Sequence, residues 1–172
     1  MFSRILVAMD GSTEGDHIFE EALSIAKMTN ARLMLMHVLS GAEVECFDVY
    51  EAALGRSPDH LNGHTEQWES ARQHGLETLR SRHATMCDAG ISADIGLPAG
   101  NPGQQICEMA HKWGADLILL GRRGLTDQEE ELLISVSNYV LHHAPCSVLV
   151  VHREAKEILS PDQPKPVEIA HS

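Results

Sequence analysis

Residues 115–121 read ADLILLG, and the unbroken run Leu117-Ile118-Leu119-Leu120 at their centre decides the class of fold. An amphipathic helix would place polar residues at a period of about 3.6, and a half-exposed strand would alternate. This run does neither, and it is short. It reads as a strand covered on both faces, the pattern of a parallel sheet lying between helices. Working outward, RILVAM (4–9) and ARLMLMHVL (31–39) have the same character, and CSVLVVH (146–152) is a β-branched, apolar last strand. ISADIGLP (91–98) alternates like a strand, though weakly.

Helical spacing fills the gaps. Thr13–Thr29 repeats apolar residues at Ile18, Ala22, Leu23, Ile25 and Ala26. Residues 64–89 predict a long polar helix with Trp68, Ala71, Gly75, Leu76 and Leu79 on one stripe. Pro102 opens a helix to Trp113, where its missing N–H costs little. A last helix is expected over 132–143. The alternation β-α-β-α-β-α-β-α-β, with right-handed crossovers, predicts an α/β fold with a doubly wound five-stranded parallel sheet and helices on both faces. Ligands of such sheets sit beyond the carboxyl ends of the strands, where strand order reverses. Those ends are Met9-Asp10-Gly11, His37-Val38, Leu97-Pro98-Ala99-Gly100 and Leu120-Gly121. Two segments fall outside this scheme: an insertion at 40–63, expected to be a mobile arm with a partner-binding flap as the alternative, and a proline-containing tail at 153–172, expected to be disordered.

Composition excludes several classes of function. The chain has 172 residues, the length of one domain with a workable core, and a net charge of −12. That charge argues against a nucleic-acid-binding face, which needs clustered Lys and Arg. No apolar run approaches the roughly 18 residues that would span a bilayer, and the N-terminal MFSRILVAMDGS is not read as a signal peptide. Cys46, Cys87, Cys107 and Cys146 form no CxxC pair and no zinc spacing, so a reduced, cytoplasmic protein is expected. Cys146 is expected to be buried and inert, and Met9, Met28, Met34 and Met36 to fill the core. His142 and His143 are adjacent, hence about 100° apart on a helix, and cannot easily share one ion. HExxH, GxSxG and Walker A patterns are absent.

Two short stretches carry chemistry. Asp10, at the end of the first strand, offers a carboxylate to an adenine amino group or a ribose hydroxyl; equally, Asp10-Gly11-Ser12 is a plain turn in which Ser12 or Thr13 caps the next helix. The sequence GRRG (121–124) offers two glycines for close backbone approach and two arginines for phosphate, and by itself is also a common surface turn.

Together these residues resemble the universal stress protein family. RILVAMDGS is similar to that family's first strand and Asp-containing turn. GRRG, nine residues, Ile134-Ser135-Val136 and then SNYVLHHAPCSVLVV are similar to its G-x-x-G, nine residues, G-[ST]-[VI] and closing strand. The resemblance covers about 3–152 and implies a universal stress protein domain over 1–152. It further implies the strand order 3-2-1-4-5 of the adenine nucleotide alpha hydrolase-like fold, a homodimer through strand 147–151, and a site for ATP or another adenine nucleotide, with Mg as an accompanying ion. Carried over, Asp10 contacts adenine, Val38 lines the base pocket, and Gly121, Arg123 and Gly124 hold ribose and α-phosphate. Ser135 and Val136 offer a hydroxyl and a backbone N–H to the outer phosphates, and Ala8 and Ile134 occupy the remaining matched positions.

Ile134 departs from the family pattern, which has glycine there. A β-branched residue fits poorly with φ > 0 and projects a side chain toward the phosphates. Asp127, Glu129, Glu130 and Glu131 add charge of the wrong sign. At about 6 Å and an effective dielectric near 20, each carboxylate–phosphate pair repels by roughly 2–3 kcal/mol before screening. The same residues suit a helix start: Thr126-Asp127-Gln128-Glu129 matches a capping box, and Leu132, Leu133, Val136 and Val140 continue an apolar stripe. Three functions follow. The first is a stress-response protein that binds an adenine nucleotide as sensor or regulator. The second is an interaction protein of the same fold without nucleotide, and the third, weakest, is a slow ATPase.

Overall fold

The computed structural model describes residues 1–9, 13–40, 64–121 and 130–151. The expected turn at 10–12, all but the first residue of the 40–63 arm, the capping box at 126–129 and the tail at 153–172 lie outside them. Among the described residues nine elements alternate: β1 (Arg4–Ala8), α1 (Thr13–Thr29), β2 (Arg32–Met36), α2 (His64–Asp88), β3 (Ala93–Gly96), α3 (Pro102–Trp113), β4 (Leu117–Gly121), α4 (Glu130–His143) and β5 (Ser147–Val151). The sheet is five-stranded in the order β3-β2-β1-β4-β5, and each neighbouring pair is parallel.

The unbroken apolar runs are explained by the pleat. Successive side chains of a strand point to opposite faces, so a strand covered twice must be apolar at every position. Ile5, Val7, Leu33, Leu35, Leu117 and Leu119 face one layer, against Ile18, Phe19, Ala22 and Ala26 of α1 and Leu79 and Met86 of α2. Leu6, Ala8, Met34, Met36, Ile118 and Leu120 face the other, against Ile106 and Ala110 of α3 and Val140 of α4. Burying one such Leu or Ile contributes about 1.5–3 kcal/mol, so the two layers are the main source of stability.

Helix α3 shows how local sequence sets its own limits. The Asn101 side chain caps the start by accepting from the Gln104 N–H, and Pro102 occupies the first turn. Gly114 ends the helix in the left-handed region at φ 71°, which glycine adopts most readily because it has no Cβ.

Some expectations are corrected. Met28 is not core but 74% exposed. It lies two residues beyond the buried Ala26, about 200° around the helix, which turns it outward. Cys146 is half-buried rather than buried. β5 is the edge strand that the order 3-2-1-4-5 implies, and its residues are half-exposed, with Leu149 at 41%. The last helix begins at Glu130, two residues earlier than expected.

Candidate functional site

The point where strand order reverses lies between β1 and β4. The chain leaves β1 toward β2 and leaves β4 toward β5, so the crossovers diverge and open a crevice at the carboxyl ends. Ala8↔Leu120 is the last β1–β4 pair. On the neighbouring side the strands stay joined beyond their regular ends. Met9 N–H donates to Met36 O (3.0 Å), His37 N–H to Gly96 O (3.1 Å), Leu39 N–H to Pro98 O (2.9 Å) and Gly100 N–H to Leu39 O (3.0 Å). The crevice therefore has one firm wall, built from 36–39 and 96–100.

Of the residues singled out in the sequence, Ala8 and Val38 are buried and share one apolar cluster, against which Val136 of α4 packs. Gly121 ends β4 opposite Val151. A Cβ at Gly121 would collide with Ile18 Cδ1 and stand 3.1 Å from its Cγ1, so glycine is needed there for packing against α1. Ile134 and Ser135 are the fifth and sixth residues of α4, where only the backbone is described. Asp10, Arg123 and Gly124 lie outside the described residues.

The α4 start matters chemically. The first four N–H groups of a helix have no partner within it, whereas later ones bond the carbonyl four residues back. With Glu130 first, the amides of Ile134, Ser135 and Val136 come after that free set.

Sequence reasoning placed Met9 and His37 at strand ends but missed how they are joined, and missed Arg82. The Met9 carbonyl accepts from His37 Nδ1 at 3.2 Å, which places the imidazole proton on that nitrogen. Arg82 of α2 lies against Met9 Sδ and pairs with the Asp16 carboxylate at 2.6 Å. These partners lie 28 to 73 residues apart in the chain, beyond the reach of local periodicity. Gly75 leaves room for the imidazole, since a Cβ there would come within 3.1 Å of His37 Cδ2.

The shifted carboxylates lie at the opposite rim. The Arg32 hydrogen bond, at 2.8 Å, holds Asp94 below the usual carboxylate range; desolvation opposes it, and the Trp113 indole N–H assists. These groups tie β2, β3 and α3 together and face away from the crevice. Among the described residues, no cluster of three or more His, Cys, Asp or Glu side chains is placed to hold a metal ion, and no helix is long and apolar enough to cross a membrane.

Comparison with known proteins agrees with this architecture. The model of the universal stress protein family matches residues 1–152. A universal stress protein of Synechocystis is 35% identical over 158 residues, covering 87% of this chain and 97% of that protein. The universal stress protein UspA of Lactobacillus plantarum has a similar fold, with a TM-score of 0.68 at 24% identity over 87% of this chain and 97% of that one. A family protein of Arabidopsis thaliana, solved with AMP bound, has a TM-score of 0.63 at 20% identity over 90% and 94%. The chain belongs to the universal stress protein family.

Proposed function

We propose that this protein binds an adenine nucleotide in the crevice between β1 and β4, prefers the monophosphate, and acts as a sensor or regulator without turnover. The observation that carries the preference is the start of α4 at Glu130. In α-helical geometry the amides of Ile134, Ser135 and Val136 bond back to residues 130, 131 and 132. They are then no longer available to β- and γ-phosphates. Asp127, Glu129, Glu130 and Glu131 add repulsion that grows with each phosphate. Base and ribose do not depend on that segment. In this reading Asp10 meets adenine, Ala8 and Val38 form the apolar floor, and Gly121, Arg123 and Gly124 take the ribose and α-phosphate. The AMP held by the Arabidopsis relative supports a site of this size. The same reading pairs two copies through the edge strand Ser147–Val151, whose Leu149 is exposed.

The test is equilibrium binding of AMP, ADP and ATP, with and without Mg, to the wild type and to Ile134→Gly. The expected order is AMP tightest and ATP weakest, separated by about tenfold or more, since each 1.4 kcal/mol of repulsion is a factor of ten. Glycine at 134 loosens the helix start and narrows the gap. Wild-type ATP binding as tight as AMP binding would refute the preference. Failure of all three nucleotides to bind would refute the nucleotide site and leave an interaction protein of the same fold.

A further inference from the structure

The two edges of β2 are unequally used beyond its regular end. In a parallel ladder, successive residues of a strand bond alternately to the neighbour on one side and on the other. Met36 serves β1, its carbonyl accepting from the Met9 N–H at 3.0 Å. His37 and Leu39 serve the β3 side, donating to Gly96 O at 3.1 Å and to Pro98 O at 2.9 Å. By that alternation the Val38 N–H points to the β1 side, where the next acceptor in register is the Met9 carbonyl. That bond is not made. The Met9 carbonyl accepts instead from His37 Nδ1 at 3.2 Å. Among the described residues the Val38 N–H has no acceptor, although Val38 is only 8% exposed. A backbone donor so placed is costly to leave unpaired, so it is ready for an acceptor from outside the chain. Space for the imidazole comes from Gly75 of α2, where a Cβ would stand 3.1 Å from His37 Cδ2 and 3.6 Å from Nε2.

We propose that His37 is a positioning residue that keeps the Val38 N–H open as a donor to the nucleotide base. Its ring lies on the α2 side of the sheet and holds the Met9 carbonyl toward that side, out of line with Val38. The donor is left on the firm wall of the crevice, beside the apolar cluster that Ala8 and Val38 share. A ring nitrogen with a lone pair matches it. N1 of adenine is such an atom, whereas N1 of hypoxanthine carries a proton and would meet donor with donor. The proposal rests on the adenine-nucleotide reading above and adds what sets its choice of base.

The experiment follows the Val38 amide by NMR hydrogen exchange. It also compares binding of AMP and of inosine monophosphate to the wild type, His37→Asn, His37→Gln and His37→Phe, with folding followed by circular dichroism. In the ligand-free wild type the Val38 amide should exchange faster than those of His37 and Leu39, which bond to the β3 side, and AMP should slow it. His37→Asn carries an amide N–H near the Nδ1 position and should behave like the wild type. His37→Gln carries one near Nε2, and His37→Phe carries none. In both, the Met9 carbonyl is released to Val38, so AMP should bind about tenfold more weakly and its advantage over inosine monophosphate should shrink. A Val38 amide as slow as its neighbours in the free protein, or one that bound AMP leaves unchanged, overturns the proposal. So does a folded His37→Gln or His37→Phe that binds AMP like the wild type, or that loses both nucleotides in equal proportion, as removal of a merely structural histidine would. If neither variant folds, wild-type exchange with and without AMP decides. A wild type that binds no AMP fails the nucleotide reading first, and the wild-type binding arm alone tells the two failures apart.

Discussion

Replacing Gly121 by alanine separates packing from ligand approach as the reason for glycine at the end of β4. The backbone there is not in the positive-φ region, so alanine meets no conformational strain. The added methyl meets Ile18, which is 6% exposed and has little room to turn away. Overpacking of this kind costs about 1–3 kcal/mol. Reduced freedom of the unfolded chain returns about 0.4–1 kcal/mol, leaving a net loss of about 1–2 kcal/mol. Ile18→Val removes the Cδ1 that causes the collision and by itself costs about 0.5–1.5 kcal/mol. Independent effects would sum to about 1.5–3.5 kcal/mol in the double variant. The contact predicts less, about 1–2 kcal/mol, because the collision is gone while Cγ1 remains close; the coupling is then about 1 kcal/mol. Urea midpoints for the four proteins, with unchanged slopes, measure this directly. Additive losses, or a Gly121→Ala protein as stable as the wild type, would falsify the packing account.

Two further outcomes follow from groups at the opposite rim. Desolvation pushes the Asp116 carboxyl upward, but the Ser3 hydroxyl at 2.6 Å, the Ser3 N–H at 2.8 Å and the Arg4 N–H at 3.0 Å outweigh it and hold its pKa below the usual value. A depressed folded-state pKa contributes stability above the unfolded value, lost as pH falls through the folded one. Asp116→Asn should therefore flatten the acid side of the stability curve, and urea midpoints that fall in parallel for both proteins would show the carboxylate to be irrelevant. Burial pushes the Cys107 thiol up, and burial, then Asp116 and Cys107, push Cys146 up, whereas Cys87 is exposed on α2. Mass spectrometry of a timed iodoacetamide reaction near neutral pH should find Cys87 modified before Cys107 and Cys146, and equal rates at these three would contradict this environment.

The fold was legible where one physical rule decided each residue. The central runs at 5–7 and 117–120 are apolar at every position because both faces are covered, and that rule has no local exception. Legibility fell at the rims. β5 carries the same β-branched apolar letters as a central strand, yet it is half-exposed, because strand order depends on the crossovers and not on composition. Met28 reads as apolar filler in isolation; the phase of α1 turns it to solvent. At the candidate site, Val38 and Gly121 could be placed from the rule that ligands meet strand ends, whereas Ala8 came from the family resemblance. Arg82 could not, nor could the bond of His37 to Met9, since these contacts are made only through tertiary folding. The expectation that the acidic segment favours helix is met in the backbone from Glu130 onward; Asp10, Arg123 and Gly124 lie outside the described residues.

The strand order has a consequence during synthesis. β1 is central, and its second neighbour, β4, begins at Leu117. Until the ribosome has released that far a chain, Ile5, Leu6 and Val7 have a partner on one side only, and an open row of backbone donors and acceptors on the other. The nascent β1-β2-β3 half therefore emerges with its future interior as a sticky border. This is the period in which a chaperone has most to cover and a neighbouring nascent chain most to capture.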